Sequence, residues 1–199
     1  MKNLSSSSSN QRGVGLIEVM IAVLVVAVGV LGSIAMQLSS KRMGHEAVQR
    51  TMAANLARDL IERMRSNPAA LDSYVLTWRD ETDAPTVDYS CLTDECTNIQ
   101  LALYDQAQWM ADLEGAAETR VQTEGGDPVE TGGLQRPSVC VTNNSRFVTV
   151  AIAWRGFQEM SNPGLSTCGE GTGLYDGEGE GDDDVYRQVL TFSSYIKEL

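Results

Sequence analysis

The sequence predicts an α+β protein, a long N-terminal helix packed on a small antiparallel sheet. Two patterns define the helix and a third defines the sheet. Residues 19–40 carry no charge, and their apolar side chains occur all round rather than on one stripe, which suits a membrane or a deep core. Further on, Ala53, Leu56, Ala57, Leu60, Ile61 and Met64 recur at helical spacing, an amphipathic stripe made to lie on something. Beyond residue 138 apolar residues alternate over 138–142, 146–154 and 186–196, the period of strands with one covered face. Three or four such strands need that cover, and the stripe supplies it.

The helix comes first in the chain. No proline lies between Val14 and Asn67, so one helix is expected from about Val14 to Ser66, roughly 80 Å at 1.5 Å per residue. Ser66, Asn67 and Pro68 stop it. The uncharged run alone is roughly 33 Å long, against a bilayer core of about 30 Å. Glu18 stands at its head, where a carboxylate costs about 3 kcal/mol if carried to mid-bilayer. Gly29, Gly32 and Gly44 weaken the helix locally. On the polar face, Arg58–Glu62 and Asp59–Arg63 are i,i+4 pairs. His45, the only histidine, sits in the polar stretch beyond the uncharged run and reads as a solvated or contact residue, since no cluster surrounds it.

Charge and cysteines place the two ends. Residues 1–13 are polar, with a serine run at 5–9 and the bases Lys2 and Arg12, and read as a cytoplasmic leader. Lys41 and Arg42 flank the other end of the run, so charge alone does not orient it. Net charge is −12. Residues 67–199 hold seven basic and 23 acidic residues, and such a head repels phosphate backbones, which disfavours nucleic acid. Cys91, Cys96, Cys140 and Cys168 all follow the apolar run. An even count confined there indicates disulfides in an oxidising compartment and puts the C-terminal part outside. There is no CxxC pair, so zinc lacks its ligand spacing.

The head is then read in order. Residues 67–100 look like a loop-rich connection. Residues 99–114 suit a short second helix anchored by Trp109. Gly125-Gly126-Asp127-Pro128 and Gly132-Gly133 are turn chemistry within 122–137. Asn143-Asn144-Ser145 reads as a hairpin turn. Residues 169–184 hold six glycines and seven acids with no base, by default a solvated, mobile loop. The competing reading is a hard-oxygen calcium site, although no EF-hand spacing is present.

The stretch Arg12-Gly13-Val14-Gly15-Leu16-Ile17-Glu18 with its apolar run resembles the type IV prepilin family. Gly13 matches the residue before the processing cut, Val14 the residue that becomes the methylated N-terminus, and Glu18 the family glutamate. Val14 stands where most members have Phe. The blocks at 55–68, at 103–109 and at 154–156 resemble PilV-type minor pilins. The resemblance implies the type IV pilin fold, with 1–13 as leader, 14–40 as the transmembrane half of the helix, 41–67 as its amphipathic half and 68–199 as a periplasmic head. It implies a substrate of prepilin peptidase and its methylase activity, not an enzyme, with no cofactor and no metal. The partners implied are the major pilin, other minor pilins, the inner membrane and a tip adhesin. The function implied is help in starting pilus assembly, with effects on adhesion and twitching motility, first from the inner membrane and then in an extracellular pilus. A minor pseudopilin of type II secretion is the alternative.

Two finer points follow from the resemblance. Four cysteines allow three pairings, and the family's C-terminal clip favours Cys91–Cys96 with Cys140–Cys168. Cleavage after Gly13 would free a Val14 amine, mostly charged at neutral pH, for Glu18 of the same or a neighbouring copy. Such a pair, shielded from water, would set the register between helices. Gly29 and Gly32 match the family region where an assembled helix partly unwinds. Close helix packing explains them equally well. A secretory signal has a shorter apolar core, and a plain anchor explains neither Glu18 nor Gly13. The head lacks a nucleophile and base constellation, which leaves an enzyme without candidates.

Overall fold

The computed structural model describes residues 15–80, 85–115, 119–121, 128–130, 132–160, 166–179, 181 and 183–198. The leader and the Gly13–Val14 cut therefore lie outside the described residues, as does the Val14 amine. The chain divides into two compact units, the first ending at Gly44 and the second beginning at His45.

Helix α1 is Leu16–Ser66. In the first unit none of its described residues is buried. In the second unit Ala53, Ala57, Leu60, Ile61 and Met64 are buried, five of the six residues of the sequence stripe, with Leu56 half-buried. Of the two ion pairs expected on the polar face, Arg63 does bind Asp59, at 2.8 Å. Arg58 does not take Glu62. Glu62 goes to Arg65 at 2.6 Å, and the Arg58 guanidinium lies 5.1 Å from the centre of the Phe192 ring. The aromatic face offers a flat, partly buried partner that sequence spacing could not reveal.

The connection after α1 is more ordered than its composition indicated. A 3₁₀ helix spans Pro68–Tyr74, with proline at its start, where the missing N–H is no loss. Strand β1, Leu76–Arg79, follows. Helix α2 is Asn98–Glu114. It opens on a capping box, in which the Thr97 hydroxyl accepts from the Gln100 amide at 3.3 Å and the Gln100 side chain accepts from the Thr97 amide at 3.0 Å. It closes at Gly115, whose φ of 89° favours glycine. A side chain there would also run into the backbone of Gly132 and Gly133.

Two short strands not foreseen from sequence, β2 (Thr119–Val121) and β3 (Pro128–Glu130), pair antiparallel. Residues 122–127, with Gly125-Gly126-Asp127 of the expected turn, lie outside the described residues. The main sheet adds β4 (Ser138–Asn144), β5 (Phe147–Arg155) and β6 (Arg187–Tyr195). Its order is β1-β4-β5-β6, antiparallel throughout. The β4–β5 turn sits one residue later than expected. Asn144 pairs with Phe147, leaving Ser145 and Arg146 as the two turn residues, with φ of 52° and 70°. Positive φ at both is what a two-residue turn of matching twist demands. Arg146 tolerates it because its amide donates to Asn143 Oδ1 at 3.0 Å.

The stripe of α1 packs on the inner face of the sheet. Val139, Val141, Val148, Val150, Ile152 and Trp154 form one core with Leu60, Met64, Trp109, Met110 and Leu113. Trp109 is fully buried and donates its indole N–H to the Leu56 carbonyl at 2.9 Å, so α2 is fastened to the backbone of α1. Beside it, Tyr74 donates to Asp105 at 2.5 Å, and Arg63 reaches Asp105 at 3.4 Å. Burial, and then the hydrogen bond to Asp105, push the Tyr74 phenol well above its ordinary range.

Candidate functional site

Two surfaces stand out from the residues upward. The first is the part of α1 from Leu16 to Gly44. An unbroken apolar helix has no reason to face water, since each exposed Val or Leu forgoes about 1.5–3 kcal/mol of burial. Here Leu16, Ile17, Met20, Leu24, Leu31 and Met36 are all exposed, and the best window of the helix has a mean hydropathy of 2.7. The helix is long and apolar enough to cross a membrane. Glu18 lies in its first turn, where the unpaired amides of the helix end favour a carboxylate. It borders a shallow groove with Val19, Ala22, Val23 and Val26. Side chains added at Gly29 or Gly32 would meet nothing within 4 Å, so packing inside this chain does not require either glycine.

The second surface is the far face of the sheet. At one end residues 166–179 cover it. Cys140 and Cys168 are joined by a disulfide, as are Cys91 and Cys96. Leu174 and Tyr175 pack on Ala153 as a small second core. The segment is not a free loop. Arg155 donates to the carbonyls of Leu174 and Asp176, and buried Arg187 donates to those of Ser166 and Cys168 at 2.7 and 3.0 Å. The Tyr175 hydroxyl donates to the Arg136 carbonyl at 3.1 Å, and burial pushes its pKa up to about 12.

Two of the acids weighed for calcium are in use here as hydrogen-bond acceptors. Asp184 takes the Gly171 amide at 2.9 Å, and Asp176 takes that of Asp184 at 2.9 Å. Among the described residues no group of three or more His, Cys, Asp or Glu side chains is placed to hold a metal. Glu180 and Asp182 lie outside them. His45 rests its ring 5.9 Å from that of Phe157.

A family model for the prokaryotic N-terminal methylation motif matches residues 8–34. A second, described as type IV pilin Tt1218-like, matches residues 35–107. They abut, and together cover 8–107, which is 100 of the 199 residues. The chain belongs to the type IV prepilin family. No curated protein and no solved structure matches it. As a type IV pilin it is a structural subunit rather than an enzyme, and its methylation motif marks it as a substrate of prepilin peptidase. The long helix on a four-stranded antiparallel sheet is the pilin fold. Its unburied apolar half fits membrane anchoring and assembly with other pilins.

Sequence reasoning missed three contributors to these surfaces. Strand β1, the Arg155 and Arg187 clamps and the Arg58–Phe192 contact each depend on partners far away in the chain. The unpaired Leu174-Tyr175 within a run of glycines and acids was the one local signal that 169–184 packs on something.

Proposed function

We propose that this pilin is a PilV-type minor pilin of a type IV pilus, which helps start filament assembly and modulates adhesion and twitching motility. The observation that carries the reading is the apolar part of α1 from residue 16 to residue 40, none of it buried and headed by one acid, Glu18. A surface of that kind is stable in lipid or against like helices and in little else. In this reading residues 1–13 are a cytoplasmic leader, removed after Gly13. Residues 14–40 cross the inner membrane, 41–67 form the amphipathic half of the helix, and 68–199 form a periplasmic head closed by its two disulfides. Val14 becomes the methylated terminus, and its amine pairs with Glu18 when helices leave lipid for one another. Other minor pilins, the major pilin and a tip adhesin are the partners.

Glu18→Ala tests the pairing. The variant is expected to be trimmed to mature size, yet to enter filaments at least about tenfold less, because an amine left alone in an apolar bundle costs several kcal/mol. Immunoblots of sheared pili against whole cells read both quantities. Normal incorporation would remove Glu18 from the mechanism. A deletion that stops protein secretion while pili remain would overturn the pilus assignment itself.

A further inference from the structure

The four-stranded sheet has two edges, and they are built differently. Edge β1 has only four residues and carries the exposed Arg79, a short and charged strand of the kind that discourages pairing. Edge β6 has nine residues, Arg187–Tyr195. Between Gln188 and Tyr195 it holds no charge and no proline.

The hydrogen-bonding phase of β6 is fixed at both ends. Ile196 donates to the Arg146 carbonyl at 2.9 Å, and Gly156 donates to the Tyr186 carbonyl at 2.8 Å. Even-numbered residues therefore face β5, and odd-numbered ones turn their amide and carbonyl outward. Among the described residues, none of the outward amides of Val189, Thr191, Ser193 and Tyr195 has a backbone partner. The side chains of Thr191, Ser193 and Tyr195 are exposed, whereas Val189 at the other end is half-buried against Leu174 and Tyr175.

The rim of the same edge is basic, on a chain whose net charge is −12. Arg58 lies over Phe192. Arg65 donates to the Ser194 hydroxyl at 2.7 Å, and Arg146 donates to the Ile196 carbonyl at 2.8 Å. Lys197 follows in sequence and is exposed. Two acids offset them, Glu62 at Arg65 and Glu198 at Arg146.

We propose that β6 is an acceptor edge for strand addition, occupied by an extended acidic segment of a different pilin in the same assembly. Strand addition supplies affinity through alternate main-chain bonds and leaves selectivity to side chains at the rim. Here the outward amides and carbonyls form the ladder, and Arg58, Arg65 and Lys197 select acids. Pairing of β6 with β6 of a second copy would bring like-charged rims together, which opposes it. The inference rests on the reading that the chain enters filaments.

A photo-reactive benzoylphenylalanine in place of Tyr195 tests it in cells that assemble filaments, with the same probe at Thr77 on the opposite edge as a control. The expected product joins this chain to another pilin from position 195 and not from 77. Thr191→Pro removes one outward amide, a position where an edge strand tolerates proline, and should cut the yield about tenfold or more. Arg58→Glu with Lys197→Glu leaves the backbone untouched and should cut it likewise, which keeps the test sound if the proline variant fails to fold. Equal yields in the charge-reversed chain, a product made of two copies of this chain, or no pilin product at 195 would each overturn the proposal. Filament content is measured on the same cells. A chain present in filaments without the crosslink refutes the edge alone, whereas a chain absent from them refutes the earlier reading.

Discussion

The two halves of α1 share one backbone and differ in what they ask of their surroundings. Between Ala53 and Met64 the apolar residues fall on one face and are buried on the sheet, with Arg58, Asp59, Glu62 and Arg63 on the others. Between Leu16 and Gly44 they fall on every face, and the chain buries none of them. A stripe can be satisfied by one's own head. A helix that is apolar all round is satisfied only by something outside the chain. The difference teaches that stability and assembly are assigned to separate stretches of one helix, so substitutions in each should have separable effects.

The sharpest way to break this comparison is a matched pair of truncations. Leu60→Ala should destabilise the head by about 3–5 kcal/mol, the cost of a cavity at a fully buried leucine, read by urea unfolding of the full chain in detergent. Val26→Ala should leave the same transition within about 0.5 kcal/mol. Equal losses would mean that the halves are not independent. A smaller effect sharpens the picture. Trp109→Phe deletes the indole donor to Leu56 and some volume, and should cost about 2 kcal/mol while the secondary structure seen by circular dichroism is kept.

The smallest effect is a pH slope confined to the head. The Tyr175 phenol is raised from about 10 when unfolded to about 12 in the fold. The folded state therefore holds the proton more tightly, and this contribution is complete below pH 10. It is lost as pH rises from about 10 to about 12, amounting to roughly 1 kcal/mol or less at pH 10.5. Tyr175→Phe should flatten that part of the stability-versus-pH curve relative to the parent. An unchanged slope would show that the phenol is not held in its neutral form.

How much of this was legible in the sequence follows from how local each signal is. The two halves of α1, the core role of Trp109 and strands β4 to β6 were readable, because burial imposes a period within a few residues of itself. Strand β1 was not. Four residues, Leu76–Arg79, cannot establish a period, and their partner β4 begins only at Ser138. Arg58 was assigned to Glu62 by spacing, but the Phe192 ring that holds it comes from the far end of the chain. The glycines and acids of 169–184 read as a solvated run because composition reports side chains, whereas that segment is held by its carbonyls. The pairing of the cysteines came from family likeness, since spacing left three choices open. Gly13 and Val14 lie outside the described residues, within the stretch 8–34 that matches the methylation motif.

The grip of Arg155 and Arg187 on main-chain oxygens has a consequence for variation. Every residue type owns a carbonyl, so the path of residues 166–179 places little demand on most of the side chains displayed there. Only a few positions are constrained. Gly169 is one, with φ of 75° and the Tyr175 ring 2.8 Å from where a Cβ would stand. Tyr175 itself is another. Leu174 on Ala153, Cys168 in its disulfide, and Asp176 and Asp184 as acceptors of amides are constrained as well. The exposed positions among them are free to drift, and the outward face of the head can acquire a new chemical identity while the scaffold beneath it is inherited unchanged.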